Sequence, residues 1–398
     1  MPVTSLLAPR VTARRSVRRA VVPVALGMVA SLLVAGGTAA AADRVRTATA
    51  LAVDHQAART TEQVLLRGRV RTPGGGAGGM TVRVQSRAPG GTFATVTTLR
   101  TGAQGRFAFL HRPYGARDYR AVALRDSRRQ ASRSPVRQVA PRSAARSLEQ
   151  RSSLVAGRVG VREAGPHTQR RHGTSVTWAR HQRGILAQVR RNTSVVSGPV
   201  LEEYLRRGGV GGRLGAPVAD VDCQGYENAC LQRFQRGAIY VNPRAMRRVT
   251  TAFGPPARAA FLAVARSQRG YREPYYRGSK YSLWQNSSNA WCGFYLAWVS
   301  RASGNGDAFP RAGHFSQQVS TIRARGRTTS TPRVGHFAFI DYFGNGRPTH
   351  VGLVTKVRRD GRLVLLEGNV ASNGGSGRPR GVFRIVRNRG SVLFYARP

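Results

Sequence analysis

Lysine is nearly missing from this chain: of its 65 basic residues only Lys280 and Lys356 are not arginine. So uniform a choice reads as the mark of a GC-rich genome, not as a set of individually selected phosphate contacts. Acidic residues are scarce too, 17 in 398, which leaves a formal net charge of +48. Carboxylates so few and so scattered build no calcium cluster, and the chain has no EF-hand loop, no His-Glu-x-x-His and no paired Cys-x-x-Cys motif. No metal and no cofactor is therefore expected. Aromatic stacking motifs and any recognisable nucleic-acid fold pattern are also absent, so charge alone speaks for nucleic acid and no specific nucleic-acid partner is expected. Cysteine is down to three residues.

What is present begins with the charge. A polycation of this size associates with polyanions, the more weakly the higher the salt. Nucleic acid, anionic lipid and the phosphate- and carboxylate-rich polymers of a bacterial wall are the classes it admits. The N-terminus narrows them. Arg10, Arg14, Arg15, Arg18 and Arg19 precede an apolar run over residues 20–35 and small residues through Ala42, with Ala40-Ala41-Ala42 as a cleavage site. This is the pattern of an export signal over residues 1–42. Against an uncleaved anchor stand the shortness of the run and the interruptions at Pro23 and Gly27. A secreted protein with no stable membrane anchor after signal cleavage is expected, and DNA becomes a poor physiological partner.

Export gives the cysteines meaning. Cys223 and Cys230 flank a polar, turn-rich loop, and outside the cytoplasm such a pair forms a local disulfide. Cys292 is then unpaired. It follows a turn-forming run at residues 285–289 and opens an apolar segment, as does a loop entering a buried helix. Local sequence leaves two readings: a buried structural cysteine, or a nucleophile whose thiolate is favoured by the positive end of the helix dipole.

The length argues for several domains. Over residues 60–140 the period is two, with Met80, Val82 and Val84 on one face and Tyr119, Ala121 and Ala123 on another, separated by Gly- and Pro-rich turns. This predicts a small antiparallel β-sandwich. Residues 141–153, basic and poor in apolar side chains, read as a linker. Within residues 154–250 there is an internal echo, Arg180-His-Gln-Arg-Gly-Ile185 against Arg233-Phe-Gln-Arg-Gly-Ala-Ile239, the kind of period that stacked small units leave. Residues 256–398 begin with an alanine-rich helix at 257–268, continue through the Cys292 segment, and end in strands at 337–342, 350–357, 363–369, 382–386 and 392–396. That order describes an α+β domain with an antiparallel sheet.

A cysteine nucleophile needs a base and a group that orients the base. His350 starts a strand in Arg347-Pro-Thr-His-Val-Gly-Leu-Val354, and Leu363, Leu365, Glu367 and Asn369 share a face of the next strand. Two polar groups thus continue an apolar row, and a buried Glu or Asn requires a partner such as an imidazole on the adjacent strand. Glu367 and Asn369 are both candidates to orient His350. Tyr281, Trp284 and Trp291 either line a sugar or peptide groove or belong to the core.

Three resemblances join these readings. Thr101-Gly-Ala-Gln-Gly-Arg-Phe-Ala-Phe109 resembles the closing hairpin of bacterial Ig-like or carboxypeptidase-regulatory-like modules, which implies a spacer. Leu214-Gly-Ala-Pro217, with Phe234-Gln-Arg-Gly-Ala-Ile-Tyr240 after it, resembles the LGFP repeat of exported actinobacterial proteins, with Ala where the family has Phe, and implies a wall-associated module. Ala290-Trp-Cys-Gly-Phe-Tyr-Leu-Ala-Trp298, the His-Val-Gly strand and Leu366-Glu-Gly-Asn369 resemble a CHAP domain, a papain-like cysteine, histidine-dependent amidohydrolase. His336 stands where that family usually has Asp. The resemblance implies a secreted peptidoglycan hydrolase acting through a thioester on Cys292, with His350 as base and Glu367 or Asn369 orienting it, on peptidoglycan set among anionic wall polymers. Whether it acts as amidase or endopeptidase stays open, and the rival is a wall-binding or adhesive protein that holds peptide without cutting it.

Overall fold

The computed structural model describes residues 44–398 apart from Gln224 and Ser376. The export signal read at residues 1–42 lies outside the described residues. Among the described residues no helix is long and apolar enough to cross a membrane.

The first region is built of two antiparallel sheets around one core. Val64–Thr72 pairs with Ala48–Val53 on one side and Arg106–His111 on the other. The facing sheet is centred on Arg117–Ala123, between Arg137–Pro141 and Thr81–Arg87. Met80, Val82, Val84, Tyr119, Ala121 and Ala123 all enter the core between them, as their period of two predicts. The strand Ala48–Val53 lies upstream of residue 60, so the first region begins earlier than alternation suggests.

Residues 141–153, a linker by composition, fold in part into the helix Leu148–Val159. Ser147 and Gln150 close a capping box at its start. Arg151 is fully buried, and its guanidinium pairs with the buried Asp220, which also accepts from the backbone N–H groups of Gln63 and Val195. Composition misleads here because the segment is held by a buried ion pair in place of apolar area.

The middle region carries a four-stranded meander, Arg162–Arg171 to Asn192–Ser197, and then three strands, Cys230–Phe234, Gly237–Val241 and Val249–Phe253. The internal echo falls on two hairpin turns, where His181 pairs with Gly184 and Phe234 with Gly237. At both glycines a β-carbon would approach a carbonyl of the next strand, Val196 O at 3.0 Å and Ala252 O at 2.5 Å. Cys223 and Cys230 are joined by a disulfide, and Cys292 is free and buried.

The last region places helices Pro256–Ser267, Lys280–Gln285, Cys292–Ala302 and Phe315–Ala324 ahead of an antiparallel sheet. From edge to edge the sheet runs Thr328–Thr329, Val392–Ala396, Phe337–Ile340, His350–Val357, Leu363–Val370, Gly381–Arg387. The helix Cys292–Ala302 is apolar on every side, with only Arg301 outside the buried set, and such a helix belongs inside. Each large side chain it buries, Phe294, Tyr295 and Trp298 among them, contributes about 1.5–3 kcal/mol. That packing fixes the helix start and with it Cys292. Tyr240 and Ala252 of the preceding sheet share the same core, and Thr250 Oγ1 donates to Ala263 O, so the region boundary near residue 250 is a change of element, not a gap in the packing.

Candidate active site

Cys292 is the first residue of its helix, one position after the buried Trp291. His350 is the first residue of its strand, opposite Ile340. Glu367 lies on the next strand opposite Gly352, so His350 sits diagonally from it. Gly352 matters at this point: a β-carbon there would stand 2.8 Å from Glu367 Cγ. Its bareness lets the Glu367 side chain lean along the sheet to His350, where Oε2 is 3.0 Å from Nε2. The Cys292 side chain is within hydrogen-bonding reach of the same imidazole. With Nε2 taken by Glu367, Nδ1 is the nitrogen left for the sulfur.

All three residues are buried, at 1 % (Cys292), 3 % (His350) and 0 % (Glu367) exposure. Burial by itself lowers the His350 pKa, but the hydrogen bonds to Cys292 and Glu367, together with their charges, outweigh it and raise the value to about 9. Burial likewise pushes the Glu367 carboxyl up, yet hydrogen bonds from Arg387 and His350 bring it below its ordinary value. The arrangement favours an imidazolium at His350 held against the Glu367 carboxylate.

Two members of this cluster go unnoticed in the sequence. Arg387 Nε donates to Glu367 Oε1 at 2.9 Å, and its Nη2 lies 2.7 Å from Oε2 and 2.7 Å from Tyr342 Oη. Tyr342 lays its ring over the imidazole at 5.2 Å between centroids and 28° between planes. The loop carrying Tyr342 is held by Asp341, whose carboxylate accepts the N–H groups of Phe343, Gly344 and Gly346. One more tyrosine and one more arginine among so many carry no local signal. The polar loop after the Phe337–Ile340 strand was the one available hint.

Asn369, the other candidate to orient His350, is placed differently. Its φ is +63° and the strand pairing slips between Gly368 and Val370, so the alternation that aligns it with Glu367 breaks there. Asn369 Oδ1 instead accepts from Arg380 Nη1 at 3.2 Å. Gly368, between them, allows a close approach to the Cys292 helix: a β-carbon would meet Tyr295 Cβ at 2.9 Å.

The aromatic residues expected at a groove are mostly core. Tyr281 is fully buried and packs edge-on against Tyr271, Tyr295 and Trp298, with its hydroxyl on Gln268 Oε1 at 3.1 Å. Trp291 is 2 % exposed, stacks on Tyr281 and donates Nε1–H to Glu273. Its polar handle is satisfied inside the protein, which is how a tryptophan becomes core. Trp284 is half-buried under the Arg311 guanidinium. His336, at the far end of the Phe337–Ile340 strand from His350, does not join the cluster.

With this geometry in hand, residues 284–369 match the CHAP domain family model. The matched span contains Cys292, His350, Glu367 and Asn369 and ends before Arg387. No curated protein matches the chain. Among solved structures, the sulfur carrier protein SoxY from Chlorobium limicola f thiosulfatophilum is 15% identical over 23% of this chain and 73% of its own, with a TM-score of 0.17. A conjugative transposon lipoprotein from Bacteroides eggerthii is 12% identical over 23% and 95%, at 0.17. The sporulation control protein Spo0M from Bacillus subtilis is 11% identical over 40% and 94%, at 0.18. Likenesses this slight carry no weight for fold or function.

Proposed function

We propose that the protein is a secreted peptidoglycan hydrolase that cuts amide or peptide bonds of the cell wall through a thioester on Cys292. CHAP domains are typical of peptidoglycan hydrolases and amidases, which supports a cell-wall hydrolase role. The observation that carries the finer reading is the unbroken chain of contacts from Cys292 through His350 and Glu367 to Arg387. In this reading the Cys292 sulfur, its proton held by His350, bonds to the carbonyl carbon of the scissile amide. The unpaired backbone N–H groups at the helix start receive the developing oxyanion. The C–N bond breaks as His350 hands its proton to the leaving amine. Water then attacks the thioester, His350 takes up its proton, and the Cys292 sulfur leaves. Glu367 fixes the imidazole tautomer throughout.

Purified protein is expected to release soluble fragments bearing new amino groups from isolated walls, and Cys292→Ala or His350→Ala to abolish the release. Either variant dissolving wall as fast as the parent overturns the assignment. One observation favours the rival, a wall-binding protein that does not cut: Cys292 and His350 are almost wholly covered. Co-sedimentation with wall and no product release would support that rival.

A further inference from the structure

At the junction of the middle region and the last one lies a second feature, at the opposite end of the His350–Val357 strand from His350. A cavity of about 420 Å³ is bounded by Val249–Thr251, by the end of the Pro256–Ser267 helix and by the outer parts of three sheet strands. Lys356 marks its position, six residues and so about 20 Å along the strand from His350. Five of its eleven lining residues are cations, Arg247, Arg266, Arg269, Lys356 and Arg384, against 65 in 398 for the whole chain. No carboxylate is among the described residues that line it.

A basic background alone does not account for this. The helix C-terminus favours one or two cations nearby through its dipole, not five drawn from four elements. Arg266 is half-buried, and among the described residues no acid, hydrogen bond or aromatic face partners its guanidinium. Burial accordingly pulls its pKa below the ordinary arginine value with nothing to offset the fall. Glu203, which accepts from Oγ1 of the lining residue Thr251, is already engaged by Arg206 and Arg207. Half-burial of a guanidinium without a counterion costs stability, and an anion supplied from outside would offset that cost.

We propose that this cleft binds phosphate groups of an anionic cell-wall polymer and anchors the protein to it while the Cys292 site works elsewhere. Phosphate fits better than a carboxylate because five cations line this one cleft and a two-oxygen anion would leave most of them unused. The choice of a wall polymer rests on the wall-directed reading above. The hydrolytic chemistry does not enter, so each idea fails separately.

The test is titration of the mature chain carrying Cys292→Ser with a poly(glycerol phosphate) oligomer, with sodium polyglutamate of equal length and with inorganic phosphate. The triple variant Arg247→Gln, Arg269→Gln, Arg384→Gln is expected to bind the phosphate polymer at least tenfold more weakly and with a shallower salt dependence. A charge-matched control, Arg71→Gln, Arg83→Gln, Arg106→Gln, is expected to stay within twofold of the parent. Arg266→Met provides a second readout: it should weaken polymer binding yet raise the melting temperature of the free protein, as the loss of an unpaired half-buried cation does. Equal loss in the control would reduce the binding to diffuse charge and overturn the site. Equal affinity for polyglutamate, saturation by inorganic phosphate at the polymer's affinity, or destabilisation by Arg266→Met would each overturn it as well.

Discussion

Glu367→Gln isolates the electrostatic part of the candidate active site. The carboxylate is 3.0 Å from His350 Nε2, and the other charged or titratable groups facing that imidazole are Cys292 and Tyr342, with Arg387 acting through Glu367. Two unit charges about 4 Å apart interact by about 4 kcal/mol at an effective dielectric near 20. A neutral amide that still bonds the ring recovers part of this, so about 3 kcal/mol, or roughly two pKa units, is lost. The alkaline limb of the pH–rate profile should therefore fall from about 9 toward neutrality. At neutral pH kcat/KM should drop about 10²-fold or more, because the amide can also present its NH₂ to Nε2 and hold the wrong tautomer. The same change leaves Arg387 facing a neutral partner, and a broken buried pair costs about 3–5 kcal/mol of stability. Adding Arg387→Met removes both charges and should return most of that stability while leaving the alkaline limb low. Amine release from soluble wall fragments across pH, beside thermal melts of both variants, separates the two effects. A limb still near 9 in Glu367→Gln, or one restored by the second substitution, would refute the idea that the Glu367 charge sets the imidazole.

Other expectations follow from the same contacts. Gly352→Ala should push Glu367 off His350 and lower kcat far more than it changes KM, at a stability cost of about 1–3 kcal/mol for the overpacked site. His350 is raised in the folded state from 6.5 to about 9, so its contribution of about 3 kcal/mol is complete below pH 6.5 and is lost as pH climbs through 9; melting temperature should fall across that window and fall less in Glu367→Gln. Opening the disulfide with Cys223→Ser and Cys230→Ser should cost about 2–3 kcal/mol, and should loosen Tyr226 from Trp284 and Trp298 and Glu227 from Lys280, read as faster amide exchange in the Lys280–Gln285 helix.

What the chain discloses of its site depends on contrast. Cys292, His350 and Glu367 stand out because each interrupts or terminates an apolar period, and burial of such a group demands a partner. Asn369 sends the same signal as Glu367 in an alternating strand. The two part company because the backbone turns left-handed at Asn369, and alternation, which assumes a regular strand, is blind to a bulge. Arg387 is hidden for a different reason. It pairs in register with Leu363, four positions along the strand from Glu367, so its reach to the carboxylate depends on tertiary register and on the length of one side chain among dozens alike. Tyr281 and Trp291 look equally suited to a groove and to a core, and only the inward partners of their polar atoms, Gln268 and Glu273, decide for the core. The helix Leu148–Val159 escapes notice because its stability comes from the pairing of Arg151 with an aspartate 69 residues away. In a chain saturated with arginine, a functional arginine is marked by neighbours distant in sequence: Glu367 supplies that mark for Arg387, and for Arg266 the mark is the lack of any such neighbour among the described residues.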